Sequence, residues 1–250
     1  MPKKSRKAKK NNLKIGIIFS ILILLLILLS LFGKIVSVIQ QGKYDSNYPF
    51  SLRVVSGRDA AFLSVFPREE KIVILKVEGA QALEESLPLP WEGEISASSL
   101  PDSNVSSFFR SHLQNTETNL TIIDMARLYL LTKSVDSEDI IITDKLTASL
   151  FLDEALAAED KRIEVVNATG VYGVGNRVAK LITNLGGNVV FVSTADKDEK
   201  ESVIYFEGEK GYTVKRLGRV LGYKTLEQRG KSISDITVRI GQDSIESISK

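Results

Sequence analysis

The stretch "EVVNATGVYGVGNRVAKLI", residues 164–182, decides how this chain is read. An apolar run ending at Val166 enters a loop holding Gly170, Gly173 and Gly175. Beyond it Val174, Val178, Leu181, Ile182 and Leu185 recur at helical spacing, and Gly186 stands where a helix-ending glycine belongs. Strand, glycine turn and helix in that order allow three readings: a phosphate cradle, a plain tight turn, or a turn that meets an external ligand. A dinucleotide fingerprint needs Gly-x-Gly-x-x-Gly directly after a strand, with an acid about 20 residues further on. Gly173-x-Gly175 and Asp196 meet two of these marks, but Val178 occupies the third glycine position. No cofactor is expected here.

The same alternation continues outward from that stretch. "NVVFVS" (188–193) reads as a second strand, "TADKDEKE" (194–201) as a polar loop, and "SVIYFEG" (202–208) as a third strand. "YTVKRLGRVLG" (212–222) is a helix with Val214, Leu217, Val220 and Leu221 inward. After a variable polar loop "DITVRIG" (235–241) closes the series. The order βαββαβ predicts one sheet with both helices on one face, spanning 161–243 and followed by a short tail, 244–250.

Upstream, residues 44–160 read as a mixed α/β domain. "SLRVVSG", "AAFLSVF" and "KIVILKV" alternate as strands, the last two joined by the charged turn Pro67–Glu70 as a β-hairpin. Helical patterns follow at 103–114 and at 121–134. Thr121-x-x-Asp124 forms a capping box on the latter, with Ile122, Met125, Ala126, Leu128, Tyr129 and Leu131 as its apolar face. "DIIIT" (139–143) is a short strand and 146–159 a further helix. On that helix Asp153, Glu154, Glu159 and Asp160 read as a solvated acidic face.

The N-terminus sets the compartment. Residues 1–14 are a basic tail with seven cations (Lys3, Lys4, Arg6, Lys7, Lys9, Lys10, Lys14) and no acid. Ile15–Phe32 then runs for 18 residues without a charge, about 27 Å as a helix and close to a bilayer core. It is longer than a signal-peptide core, and no Ala-x-Ala follows, so 15–39 is expected to be an uncleaved transmembrane anchor. Seven cations before the span against Lys34 and Lys43 after it place the N-terminus in the cytoplasm and the rest outside. A nucleic-acid partner is therefore not expected. With no cysteine in the chain, disulfides and thiolate metal sites are ruled out. His112 is the single histidine and reads as a boundary residue. Trp91 and Tyr172 could stack on sugar rings, yet lone aromatics are usually core or boundary residues, and they are not among the expected site residues.

"IEVVNATGVYGVGNRVAKLITNLGGNVVFVSTAD" (163–196), with "DITVRIGQD" (235–243), resembles the C-terminal domain of LytR-CpsA-Psr cell-envelope proteins. That domain opens with a strand, an Asn-Gly/Ala-Thr/Ser-Gly turn, a helix, and a strand ending near Ala-Asp. The resemblance covers about 162–243. It implies a bacterial, envelope-facing, non-catalytic module on a single-pass anchor, with peptidoglycan, another wall polymer or an envelope protein as partner. "DAAFLSVFPREEKIVILKV" (59–77) more faintly resembles the early hairpin of the same proteins' catalytic domain, which moves glycopolymers from lipid pyrophosphate to peptidoglycan. Where that domain carries a Ser-Ile-Pro-Arg-Asp-like motif, this chain has Glu78 and Gly79. Arg53, Arg58, Arg68, Arg110 and Arg127 fall at no recognisable spacing. The expected fold class is α+β. The expected function is non-catalytic recognition of wall glycan or an envelope partner, with Asn167, Thr169, Gly170, Gly173, Gly175 and Arg177 as ligand-binding candidates. The alternative is a divergent phosphotransferase acting on lipid-pyrophosphate-linked glycopolymer.

Overall fold

A computed structural model describes residues 5–77, 89, 91–113, 117–145, 148–228 and 233–245, with side chains at all of these except 5–16, 35, 148 and 149. Glu78 and Gly79 lie outside the described residues. Two compact units emerge, 1–42 and 43–250. The first is a single helix, α1 (Ser5–Gln40), whose section Ile17–Gln40 is long and apolar enough to cross a membrane. From Ile17 to Phe32 its aliphatic side chains are exposed.

The second unit holds two sheets. In the first, β1 (Phe50–Ser56), β2 (Asp59–Phe66) and β3 (Lys71–Val77) form an antiparallel meander. The Asp59–Val77 hairpin is the expected one, closed by Pro67–Glu70. β4 (Gly93–Ser96) runs parallel to β1, and β6 (Ile140–Thr143) parallel to β3. With the short β5 (Glu117–Thr118) the order is β5-β4-β1-β2-β3-β6. Leu52, Val54, Leu63, Val65, Ile72 and Ile74 bury one face against α2 (Val105–Ser111) and α3 (Ile122–Ser134). The other face meets Leu89, Trp91 and Phe151, and this two-sided burial makes β2 almost continuously apolar.

The capping box is formed: Thr121 Oγ1 accepts from Asp124 N, and Asp124 Oδ2 from Thr121 N. Asp124 also accepts from the backbone N–H groups of Lys43 and Tyr44. The inward face of α3 is Met125, Leu128 and Thr132, with Tyr129 and Leu131 beside them. Ile122 and Ala126, expected inward, are exposed because the helix is rotated to aim Asp124 at the chain entering the unit. The helix expected over 146–159 is broken. A 3₁₀ turn, Ala148–Phe151, precedes α4 (Glu154–Glu159), because Asp153 leaves helical geometry to cap Leu156 N.

The second sheet keeps the expected βαββαβ order with one strand added. β7 (Arg162–Asn167), α5 (Val174–Asn184), β8 (Asn188–Thr194), β9 (Val203–Phe206), α6 (Tyr212–Leu221) and β11 (Ile236–Ile240) fall where the pattern puts them. Between α6 and β11 the polar "KTLE" forms β10 (Lys224–Glu227), parallel to β9. The sheet order is β10-β9-β11-β7-β8. Ile163, Val165, Ile204, Phe206, Ile236, Val238 and Ile240 bury one face under Val178 and Ile182 of α5 and Val214 and Leu217 of α6. Leu156 of α4 closes the same core.

Candidate functional site

The turn after β7 is built by its own side chains. Asn167 and Thr169 are both buried. Asn167 Oδ1 accepts from Thr169 N (3.1 Å) and Thr169 Oγ1 (2.7 Å), while Asn167 Nδ2 donates to Val171 O (2.8 Å). Val171 N donates in turn to Thr169 Oγ1 (3.0 Å). These residues spend their polar groups on fixing the turn, and the N–H groups of Thr169 and Val171 are already taken. Backbone bonds tie the turn to its surroundings: Ala168 N to Ile240 O, Ala195 N to Asn167 O, and Glu199 N to Ala168 O.

The three glycines answer different needs. Gly170 (φ +74°) and Gly173 (φ +86°) sit in the left-handed region, where other residues are strained. A Cβ on Gly170 would also come within 2.7 Å of Asp198 Oδ2. Gly175 lets α5 approach the sheet, since a Cβ there would meet Asn167 Cβ at 3.1 Å and Val192 Cγ1 at 3.4 Å. Arg177 is half-buried in the first turn of α5. All six candidates belong to this one turn and helix start.

What the turn displays is aromatic. Tyr172 is 98% exposed, and Val171 beside it is also exposed. An aromatic ring costs free energy in water unless something covers it. The adjoining loop 195–201 carries Asp196, Asp198, Glu199 and Glu201 together with Lys197 and Lys200. Glu199 is taken by Arg239 and Glu201 by Lys224. The surroundings of Tyr172 are therefore polar and of mixed charge. By contrast Trp91 is half-buried against Phe62 and under Arg53, within the first sheet's second core. His112 caps α2, its Nδ1 2.8 Å from Phe108 O and its ring tilted by 35° against that of Phe108.

A second polar cluster joins the two sheets, and sequence reasoning did not find it. Arg216 of α6 is fully buried, with Nη1 2.7 Å from Glu92 Oε1 and Nε 3.1 Å from Asp153 Oδ2. Asp153 also accepts from the Tyr212 hydroxyl at 2.9–3.0 Å, and Glu92 Oε2 accepts from Ser51 N. Burial first, and then the Asp153 carboxylate, push the Tyr212 hydroxyl pKa well up. Tyr212 stacks on Tyr48, and Arg219 lies over Tyr48 while donating to Lys43 O at 2.6 Å. Glu159 caps α6 from outside it, accepting from Tyr212 N (3.0 Å) and Thr213 N (2.6 Å). Burial works to raise the Glu159 pKa, but the hydrogen bonds from Thr213 and Tyr212 outweigh it and hold it low. The solvated acidic face expected for this segment is thus corrected: Glu154 and Asp160 are exposed, while Asp153 and Glu159 are tertiary anchors. The one sequence sign was Asp153 three residues before Leu156, the spacing of a helix cap.

Residues 160–243 match the family model described as LytR cell envelope-related transcriptional attenuator. This segment is a LytR C-terminal domain. No curated protein and no solved structure matches the chain. The domain is a cell-envelope one and is non-catalytic, and it covers about a third of the 250 residues. Its first strand begins two residues after the start of the match, and its last strand and the following 3₁₀ turn end it. Of the second cluster, Arg216, Tyr212 and Arg219 lie inside the LytR C-terminal domain. Glu92, Asp153 and Glu159 lie before it.

Proposed function

We propose that this chain is a non-catalytic cell-envelope protein that recognises wall glycan through the turn at 167–177. In this reading 15–39 anchors it in the membrane, the basic tail 1–14 stays cytoplasmic, and 44–160 and 161–243 are two extracytoplasmic domains. The charge bias across the apolar helix supports the orientation. The observation that carries the recognition role is the exposure of Tyr172, 98%, on a turn otherwise rigidified by buried hydrogen bonds. An aromatic ring held on a fixed backbone can stack on the C–H face of a sugar with no backbone ordering to offset and only its own rotamer freedom to lose. Asn167, Thr169, Gly170, Gly173 and Gly175 serve by shaping the turn. Arg177 and the Asp196 and Asp198 carboxylates supply polar groups for hydroxyls or charges at its rim.

A pull-down of residues 43–250 on purified peptidoglycan tests this. The wild-type unit is expected in the pellet, with Tyr172→Ala at least tenfold weaker and unchanged in melting temperature. Equal retention of the two proteins removes Tyr172 from the site, and no retention of either removes the wall as ligand.

A further inference from the structure

We infer that two copies of this chain pair through β8, antiparallel and about a two-fold axis, to join their C-terminal sheets. Among the described strands β8 has a neighbour on one side only, so one row of its N–H and C=O groups is open to a further strand. Its apolar side chains are displayed as well: Val190, Phe191 and Val192 are 46%, 49% and 38% exposed. Folded proteins usually blunt such an edge with charge, proline or shortness. The opposite edge of the same sheet does so, since β10 begins with Lys224 and ends with Glu227, and Lys224 is ion-paired to Glu201. β8 reads "NVVFVST", seven residues without a charge. Its one protective feature is the bulge at Val190, where Ile163 pairs with Val189 but Glu164 with Phe191, and this leaves Phe191–Thr194 regular.

A second copy fits this edge because the sequence is compatible with its own reverse. With the two-fold axis at Val192, Phe191 lies opposite the mate's Ser193 and Val190 opposite Thr194. Asp196 then falls opposite Asn188, whose amide donates one N–H to Asp160 and has a second to offer, and Lys197 opposite Gly187. Within this register no like charges lie directly opposite one another, and β8 in both copies stays one strand in a symmetric contact. A seven-residue edge is about 23 Å long, so the contact falls below the area of a stable soluble dimer. It forms appreciably when copies are concentrated, as in a membrane plane.

The cysteine-free chain permits a direct test by single-cysteine cross-linking of the full-length protein in lipid vesicles. Across the axis two Val192 Cα atoms lie about 4.5–5.5 Å apart, within disulfide reach. Val192→Cys is expected to oxidise to a dimer of twice the chain mass. Thr194→Cys, about 13 Å from its mate in this register, and Leu226→Cys on the far edge are expected to stay monomeric. Adding Phe191→Lys to Val192→Cys should slow dimer formation at least tenfold. Because cysteine at 192 can disturb packing near Gly175, cysteine-free wild-type protein in detergent micelles provides a second measurement. Sedimentation should give it a dimer dissociation constant at least tenfold lower than that of Phe191→Lys. A monomeric Val192→Cys chain together with equal sedimentation of wild type and Phe191→Lys overturns the pairing. So does cross-linking as fast at 226 as at 192, and so does an adduct of any mass other than twice the chain.

Discussion

Replacing Asp153 by alanine removes one carboxylate from the buried cluster that joins the two sheets. Arg216 keeps Glu92 but loses its second partner, and its Nε is left without an acceptor in a site closed to water. Breaking a buried ion pair from one side costs about 3–5 kcal/mol, because the remaining charge stays desolvated. The same substitution strips the acceptor of the Tyr212 hydroxyl and the cap of Leu156 N. These losses overlap with the first, so their separate values do not add, and about 4 kcal/mol is the expected total. That is a large part of the 5–15 kcal/mol that holds a typical domain. At 2–4 °C per kcal/mol for a unit of this size, the melting temperature of residues 43–250 should fall by about 8–16 °C. Circular dichroism melts with urea titrations measure it. Arg216 also pairs with the buried Glu92, so only the triple variant Asp153→Ala/Arg216→Met/Glu92→Gln removes every stranded charge. It should recover part of the loss, since neutral replacements of buried ion pairs are often tolerated. A single variant melting within about 2 °C of wild type would show that Asp153 does not hold Arg216, and the account of the junction would fail.

A fragment of residues 150–245 should unfold cooperatively and at higher temperature than one of residues 160–243, because only the longer one retains Asp153, Leu156 and Glu159; equal melting temperatures would contradict this. Glu159, with its pKa held low in the folded state, contributes stability that is present above the unfolded carboxylate range and lost as pH falls through the lower folded value. The stability of Glu159→Gln should therefore fall less than wild type's between about pH 5 and pH 3, and parallel pH profiles would rule out the cap as the cause. Gly170→Val places a β-branched residue at φ +74° against Asp198 and should cost at least about 1–3 kcal/mol; an unchanged urea midpoint would show that the turn relaxes freely.

Periodicity carried the sequence reading furthest where structure is local. The helix from Val174 to Asn184, its closing glycine, the Thr121–Asp124 box and the Asp59–Val77 hairpin each rest on spacings within a dozen residues or so, and each formed. β10 was missed because "KTLE" has no alternation of its own and becomes a strand only by lying beside β9. Asp153 and Glu159 were misread for a related reason. Their partners, Arg216 and the start of α6, lie more than fifty residues away, and a charge at a helix end looks solvated until the fold brings a partner to it. The turn at 167–173 was recognised from its Asn, Thr and glycines. That Asn167 and Thr169 bond to each other and leave Tyr172 as the displayed group is set by backbone geometry that the sequence does not encode by spacing.

The claim that the turn after β7 reads wall glycan is tested most directly by amide NMR of residues 43–250 titrated with soluble peptidoglycan fragments. The account predicts saturable shifts confined to residues 168–177 and 195–199, absent in Tyr172→Ala, with the α3 face and β10 unmoved. Shifts centred on any other surface, or a spectrum unchanged at millimolar fragment, would contradict it.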